Sequence, residues 1–197
     1  MRAPHRRLGH ATAAEWLAQP PDARLELIDG ELHPKALPDV PHAQAQGAVI
    51  ASVRTAFHRR GGGGHPGGWW ILPEVDIALD GQGYRPDIAG WRREHVPAMP
   101  LERPVTLRPD WICEVVSASN ASTDTVLKLR KYHAAGVLHY WLVDPASQTL
   151  TVYRHQAEGY LAALAAKRGE TVRAEPFEAI ELRAGLLLGD DPDDPAE

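Results

Sequence analysis

The sequence predicts a mixed α/β (α+β) fold, because one stretch indicates a strand–helix–strand crossover and others indicate antiparallel hairpins. Residues 111–116 form an apolar, β-branched run that is long enough for one buried strand. Residues 125–135 then have helical periodicity, and residues 138–143 form a second apolar strand that ends at Asp144. A connection of this length allows the two strands to lie parallel in one sheet, with the helix packed on its face.

The crossover helix has sequence signals at both of its ends. Residues 120–124 are rich in the small polar side chains that cap helices, and Gly136 suits the C-terminal end. Val126, Leu129 and Tyr132 fall on one side of this helix, so we expect them to pack against the core.

The first third of the chain predicts a short helix, a hairpin and a long helix. Residues 12–17 have capping-box spacing, with Thr12 as the N-cap and Glu15 three residues later. The Asp-Gly pair at 29–30 lies between two apolar-alternating runs, which is typical of a type I′ hairpin. Residues 42–60 have apolar side chains at helical spacing and a basic C-terminal end that complements the helix dipole.

Strand candidates follow in the middle and at the end of the chain. Residues 69–79 and 85–91 predict an antiparallel hairpin, with Pro73 marking a bulge or an edge. Residues 149–155 and 159–169 predict a terminal strand pair, although the alanines of the second segment also suit a helix.

The composition is that of a soluble globular protein, with 44% hydrophobic and 24% charged residues. The length suits a single domain spanning residues 1–197, and we expect the acidic tail at 190–197 to be disordered. The net charge of −5 argues against a tight, non-specific coat on nucleic acid, whose affinity comes from phosphate neutralisation. A nuclease remains compatible with this charge, because a bound divalent ion reverses the local charge of an acidic site.

The chain is expected to be cytoplasmic and to lack a membrane span. No apolar run approaches the roughly 18 residues of a membrane helix, and the basic N-terminus lacks the apolar core of an export signal. Cys113 is the single cysteine and cannot form an internal disulfide, which fits a reducing compartment. Its apolar neighbours favour a position in the core.

Several common kinds of site are excluded by missing motifs. The ten histidines include no HExxH motif or Cys/His cluster, so zinc is not expected. Ser117 is not part of G-x-S-x-G, and we expect Ser117 and Ser119 to bond the loop backbone. The glycine-rich segment 61–68 lacks the Lys-Ser/Thr of a phosphate-binding loop and predicts a surface connection. His42 could contact a phosphate or cap a site, although an exposed position is favoured.

Three charged residues in predicted core elements are the candidates for chemistry. Asp87 and Glu114 lie in predicted strands, and Lys128 lies one turn into the crossover helix. Two carboxylates with waters or phosphate oxygens suffice to hold a hard cation such as Mg²⁺. A nearby lysine can orient or deprotonate a water and stabilise negative charge on a phosphate. Metal-assisted phosphodiester hydrolysis requires such a convergence of groups.

Each candidate also has a purely structural interpretation. Asp87 follows a proline and could begin a strand or turn a corner, and Glu114 could be paired with an arginine or a lysine. Lys128 could form an exposed ion pair with Asp124, which precedes it by four residues. Spacing alone does not decide between the two interpretations.

Six blocks of sequence carry a family resemblance: LELIDGEL (25–32), His-Ala (42–43), RPDIA (85–89), PDWICEVVS (109–117), D...KLRKYHAAGV (124–137) and YWLVD (140–144). Together they resemble the bacterial Uma-type family of restriction endonuclease-like proteins, a branch of the PD-(D/E)XK nuclease superfamily. The resemblance spans roughly residues 13–155. It implies a restriction endonuclease-like core with a mixed central sheet flanked by helices, a site for Mg²⁺ or Mn²⁺, and DNA as the substrate.

The resemblance also implies roles for individual residues. The aspartate of the superfamily signature falls on Asp87 and its acidic partner on Glu114, which makes both of them metal ligands. The signature lysine normally lies two residues after that acid, where this chain has a valine, and the position that matches in this family is Lys128. Glu26 is implied as a further ligand or water-orienting group, and Glu31 matches another acidic position. An exposed hairpin position stays open for both glutamates.

The sequence therefore predicts a metal-dependent DNA endonuclease. Asp87 and Glu114 would hold the ion, Lys128 would position the attacking water, and Glu26 would assist. The alternative is a catalytically inactive nuclease-like scaffold that binds nucleic acid or a protein partner. The charged residues in predicted core elements favour the enzyme, because an inactive scaffold has no reason to keep buried charges that are costly. The negative net charge favours the scaffold, because it opposes binding to DNA. Because single-domain nucleases often act as dimers to cut two strands, a homodimer is a further expectation.

Overall fold

Two β-sheets dominate the structure, a computed structural model that describes residues 10–117, 123–191 and 193. The strands are β1 (Leu25–Ile28), β2 (Glu31–Pro34), β3 (Trp69–Pro73), β4 (Ile77–Leu79), β5 (Gln82–Tyr84), β6 (Ile88–Arg92), β7 (Trp111–Val115), β8 (His139–Asp144), β9 (Thr149–Gln156), β10 (Gly159–Lys167), β11 (Thr171–Val172) and β12 (Leu182–Arg183). The helices are α1 (Ala13–Leu17), α2 (Val40–Phe57), α3 (Leu129–Ala134) and α4 (Ala184–Leu187), with a 3₁₀ turn at Pro21–Ala23 and a π-helical segment at Thr123–Lys128.

The central sheet is mixed and has the strand order β10-β9-β8-β7-β6-β3. β7 and β8 run parallel, as the predicted crossover requires, and the other neighbours in this sheet run antiparallel. A second, antiparallel sheet has the order β2-β1-β5-β4, and β11 pairs with β12. The predicted α/β (α+β) class with a mixed central sheet flanked by helices is confirmed.

Strand β7 is buried on both of its faces. Trp111, Cys113 and Val115 belong to the apolar cluster that includes α2, whereas Ile112 packs in the cluster on the opposite face with Tyr132 of α3. Alternating residues of a strand point to opposite faces, so a central strand covered on both sides reads as a continuous apolar run. Cys113 therefore lies in the core as expected, and burial raises the pKa of its thiol.

Two local predictions for the start of the chain are confirmed. The Thr12 hydroxyl accepts a hydrogen bond from the Glu15 N–H (3.2 Å), and the Glu15 carboxylate accepts one from the Thr12 N–H (2.8 Å). Asp29 and Gly30 have φ values of 53° and 76°, the positive values that a type I′ turn needs, and β1 pairs antiparallel with β2.

The single strand expected at 69–79 is wrong, because this segment forms two strands in different sheets. The chain turns after Pro73, where Glu74 adopts a φ of 52°, so β3 pairs with β6 while β4 pairs with β5. Pro73 has no N–H to donate and ends an edge strand. β6 does pair antiparallel with β3, as the predicted hairpin requires. β5 lies in the connection between the two predicted strands, where only a turn was expected.

The two long helical segments differ from prediction at their N-terminal ends. α2 begins at Val40 instead of residue 42, because the Asp39 side chain accepts a hydrogen bond from the His42 N–H (2.9 Å) as the N-cap. The crossover starts with a π-helical segment, and Val126 is 50% exposed there, so its expected core position is wrong. Much of the predicted cap at 120–124 lies outside the described residues.

The C-terminal end of the crossover helix is confirmed. Gly136 has a φ of 73°. The Val137 N–H bonds to the Tyr132 carbonyl (3.0 Å) and the Gly136 N–H to the His133 carbonyl (2.9 Å), which is the Schellman arrangement. The terminal strand pair also forms, as β9 and β10. The disorder expected for 190–197 falls largely outside the described residues. Within the described part of the chain, no helix has the length and apolar character needed to cross a membrane.

Gly83 of β5 lies against the indole of Trp16, and replacing it with alanine tests this contact. A Cβ at Gly83 would lie 2.6 Å from the Trp16 ring, which is buried and donates to the Leu25 carbonyl. We expect Gly83→Ala to lower the free energy of unfolding by about 1–3 kcal/mol in urea denaturation. Gly47→Ala is the matched control, because a Cβ there meets no atom within 4 Å and helix propensity should stabilise it by about 0.5–1 kcal/mol. Equal stability of the two variants would contradict the packing.

Candidate active site

The predicted site residues meet at one end of the central sheet, where β6 begins and β7 ends. Glu114 lies within β7 as predicted, whereas Asp87 directly precedes β6 instead of lying inside it. Ile88 pairs with Cys113, and extending this antiparallel register by one residue brings Asp87 opposite Glu114. The Val115 N–H, one residue after Glu114, donates to the Asp87 side chain, so both carboxylates lie at this end of the sheet.

Lys128 lies between two carboxylates. Its Nζ is 3.1 Å from Glu114 Oε1 and 3.1 Å from Glu26 Oε2, and only 2% of the residue is exposed. Lys128 is therefore not exposed, as the exposed ion pair with Asp124 would require; the Asp124 side chain lies outside what the structure describes. The exposed hairpin position considered for Glu26 is wrong, because this residue is 3% exposed, whereas the side chain of Glu31 is 77% exposed and lies outside the cluster.

Tyr132 joins the same cluster from the next turn of the crossover helix. Its hydroxyl donates a 2.8 Å hydrogen bond to Glu114 Oε1. Residues four apart share one face of a helix, so Lys128 and Tyr132 both approach Glu114 from one direction. Burial and the neighbouring Glu114 and Glu26 carboxylates raise the pKa of Tyr132, so the phenol stays protonated and continues to donate. Core packing was expected for Tyr132; its ring does pack, against Tyr84 and Tyr140.

Asp87 is held by a lysine that the sequence did not reveal. Lys35 Nζ donates to Asp87 Oδ1 (2.7 Å) and to the Arg85 carbonyl (2.6 Å), while the Val115 N–H donates to Asp87 Oδ2 (2.7 Å). Burial acts to lower the pKa of Lys35, but the Asp87 and Glu114 carboxylates outweigh it and raise this pKa. Lys35 follows β2 without any diagnostic spacing, so no local signal identifies it.

His42 is buried beside Asp87, so the exposed position favoured for it is wrong. Its Nε2 lies 3.1 Å from Asp87 Oδ2, and the residue is 5% exposed. Neither ring nitrogen makes a hydrogen bond within the described part of the chain. Buried polar atoms almost always have a hydrogen-bond partner. His42 Nε2 therefore lies within ion-pair distance of Asp87 but outside hydrogen-bond geometry, and Nδ1 is buried without a described hydrogen-bond partner.

Backbone and side-chain contacts fix the positions of the carboxylates. The Arg85 N–H donates to Glu26 Oε1 (2.9 Å), and the Arg85 guanidinium is held by Asp76 (2.7 Å). Gln46 of α2 donates to the Asp87 carbonyl (3.0 Å). These contacts tie β1, β6 and α2 together around the cluster.

The composition of the cluster fits a hard divalent cation. Glu26, Asp87 and Glu114 contribute three carboxylates and Lys35 and Lys128 two ammonium groups, a formal sum of one negative charge. Carboxylate oxygens are the ligands that Mg²⁺ and Mn²⁺ prefer. Among the described residues no three His, Cys, Asp or Glu side chains lie close enough to hold an ion alone. Waters or phosphate oxygens would have to complete the coordination.

A sequence model of the Uma2 family, described as "Putative restriction endonuclease", matches residues 12–185. The chain belongs to the Uma2 family. The resemblance found in the sequence is thereby confirmed. No curated protein matches this Uma2 chain.

The fold of this Uma2 chain is shared with a solved structure described as a "putative nuclease belonging to DUF820" from Anabaena variabilis ATCC 29413. The two are 21% identical with a TM-score of 0.70, and the match covers 90% of this chain and 97% of the other. The family description supports a nuclease function, and the likeness to the solved structure supports the fold.

The hydrogen bond from Tyr132 to Glu114 is tested by Tyr132→Phe in this Uma2 chain. We expect a loss of about 1.5–3 kcal/mol in the free energy of unfolding, because the acceptor is a buried charged group. Tyr160→Phe is the control: the Tyr160 hydroxyl donates to the neutral Val137 carbonyl (2.8 Å), and its loss should lower the same free energy by about 0.5–1.5 kcal/mol. Urea denaturation of both variants measures the difference. A smaller loss for Tyr132→Phe than for Tyr160→Phe would contradict the assignment.

Proposed function

We propose that this chain is a metal-dependent endonuclease of the PD-(D/E)XK type that hydrolyses phosphodiester bonds in DNA. The proposal is carried by one observation: three carboxylates and two lysines converge in a buried cluster at one end of the central sheet. Buried ion pairs contribute little to stability compared with apolar side chains of similar volume. Strongly interacting charged groups gathered at one buried place therefore favour a catalytic role.

Asp87 and Glu114 are the proposed ligands of Mg²⁺ or Mn²⁺. Asp87 is fixed by the Val115 N–H and Glu114 by the Tyr132 hydroxyl, so both carboxylates are oriented before any ion binds. A hard divalent ion supplies, when bound, positive charge that offsets the negative charge developing on a scissile phosphate.

Lys128 is proposed to orient the attacking water. Its ammonium group is held between Glu26 and Glu114, which leaves it little freedom and directs its protons into the cluster. Glu26 lies on the other side of the same ammonium group and can accept a proton from that water. Lys35 keeps Asp87 in place and adds positive charge where the phosphate would bind.

Nicking of supercoiled plasmid DNA tests the proposal. We expect cleavage with Mg²⁺ or Mn²⁺, none with EDTA, and a reduction on the order of 10³-fold in Glu114→Gln, which keeps the size of the side chain and removes its charge. Glu114→Gln protein purified in the same way also controls for a contaminating nuclease. Cleavage that persists unchanged in this variant would overturn the proposal, and DNA binding without any cleavage would support the inactive scaffold.

A further inference from the structure

A basic cleft lies at the opposite end of β3 and β6 from the carboxylate cluster. It has a volume of about 470 Å³, and its walls include Arg60, Trp70, Arg93 and Met99. Trp70 is the second residue of β3, and Arg93 directly follows β6, whose last residue pairs with the first residue of β3. No residue of the proposed catalytic cluster contributes to this cleft.

Arg93 is held in the cleft in a way that leaves part of its guanidinium available. The guanidinium stacks on the Trp70 ring at 3.6 Å, and its Nε donates to the Trp69 carbonyl (3.1 Å). The two outer nitrogens of the Arg93 guanidinium, Nη1 and Nη2, form no hydrogen bond with any residue in the ranges 10–117, 123–191 and 193. An arginine fixed by stacking presents these donors in the fork that matches a phosphate group.

The positive charge of the basic cleft is not neutralised by a neighbouring acid. Across the described ranges, no carboxylate forms an ion pair with Arg60 or Arg93, and Glu94 lies 3.9 Å from Arg92 instead. Burial and the Arg60 guanidinium lower the pKa of Arg93, which indicates that the two cations repel each other. A concave surface with unpaired like charges attracts an anion.

We propose that the basic cleft binds the phosphodiester backbone of duplex DNA at a distance from the cleaved bond. This inference rests on the proposed function, because it takes DNA as the ligand. A volume of about 470 Å³ accommodates a phosphate with its neighbouring sugars. The contact supplies affinity and orientation but no base recognition, as is general for arginine contacts to phosphate.

The position of the basic cleft suits a duplex that also reaches the carboxylate cluster. Arg93 follows Asp87 by six residues; Asp87 directly precedes β6 and Arg93 directly follows it, so the carboxylate cluster and the basic cleft lie at the two ends of one strand. At about 3.3 Å per residue the two positions are about 20 Å apart. This is about six base steps of a duplex, at 3.4 Å each. The overall charge of −5 thus coexists with a local cationic contact.

Salt-dependent binding of a labelled duplex of about 20 base pairs tests the inference, because each lost phosphate contact reduces the slope of log K against log salt by about 0.9. Fluorescence anisotropy in EDTA, between about 50 and 200 mM salt, keeps cleavage out of the measurement. We expect the slope to fall by about 0.9 in Arg60→Ala and by about 1.8 in Arg60→Ala/Arg93→Ala. Arg173→Ala is the control, because Arg173 is exposed, pairs with Glu181 and lies outside the cleft; its slope should equal that of the wild type.

An unchanged slope in both cleft variants, or no duplex binding by the wild type, would overturn the inference. Because Arg60 is exposed, Arg60→Ala should fold normally. This variant therefore gives a result even if loss of the stacking between Arg93 and Trp70 destabilises the double variant. The outcome is separable from that of the proposed function. If the wild type cleaves DNA but the salt-dependence slope is unchanged in the cleft variants, only the proposal for the basic cleft is refuted. If the slope falls in the variants but the wild type never cleaves DNA, the basic cleft is supported and the proposed enzyme is refuted.

Discussion

Replacing Lys128 with methionine is expected to abolish metal-dependent cleavage and to lower the free energy of unfolding by about 3–5 kcal/mol. Methionine fills much of the same space but carries no charge. Glu26 and Glu114 would then lie buried on either side of a neutral side chain, without the ammonium group that is 3.1 Å from each. Urea denaturation measures the stability, and plasmid nicking measures the activity.

The metal response of Lys128→Met gives a second readout. Because its carboxylates lack a cation, Mn²⁺ should raise the melting temperature of this variant more than that of the wild type. Lys131→Met is the matched control, since Lys131 lies three residues further along, in α3, and pairs with Asp29 near the surface. That pair should contribute less than about 1 kcal/mol. Equal stability of the two variants would refute the central position of Lys128 in the cluster.

Asp87→Asn is expected to reduce cleavage on the order of 10³-fold or more and to remove the rise in melting temperature that Mn²⁺ causes. Asparagine keeps the size of the side chain and an oxygen acceptor for Lys35 or the Val115 N–H, but it removes the charge that an ion needs. Lys35 retains Glu74 as an acidic neighbour at 3.6 Å, so the variant should remain folded.

Asp76→Asn is the control for Asp87→Asn. Asp76 is also buried, but its carboxylate binds Arg85 and Arg103 (2.7 and 2.6 Å) instead of the two lysines. This variant should lose stability but keep both cleavage and the response to Mn²⁺, because Glu26 is bonded by the Arg85 backbone N–H and not by the guanidinium that Asp76 holds. A full Mn²⁺ response in Asp87→Asn, or loss of that response in Asp76→Asn, would place the ion elsewhere.

The sequence identified one part of the site because those residues conflict with their surroundings. Glu114 is a charge inside an apolar strand, and Asp87 and Lys128 occupy motif positions; the structure brings the three side chains to one end of the central sheet. Lys35 and His42 could not be found in this way. Lys35 follows a strand and His42 lies near a helix N-terminus, which are ordinary positions for exposed residues. Only the packing of β2 and α2 against β6 brings them to Asp87.

The fold was predictable where elements are long and unpredictable where they are short. β7, β8 and the crossover follow from apolar runs and helical periodicity that extend over many residues. β4 and β5 have three residues each, which is too short for alternation to be recognised, and they pair in a second sheet that no local pattern indicates. Val126 lies exposed in the π-helical segment, which the regular helical period used for the prediction does not describe.

A crystal structure of the protein soaked with Mn²⁺ is the decisive test of the proposed metal site. We expect an ion bound by oxygens of both Asp87 and Glu114, at about 2.1 Å, with Lys128 Nζ directed at a water of the same ion. An ion bound elsewhere, or carboxylates that stay on Lys35 and Lys128 with no ion between them, would contradict it.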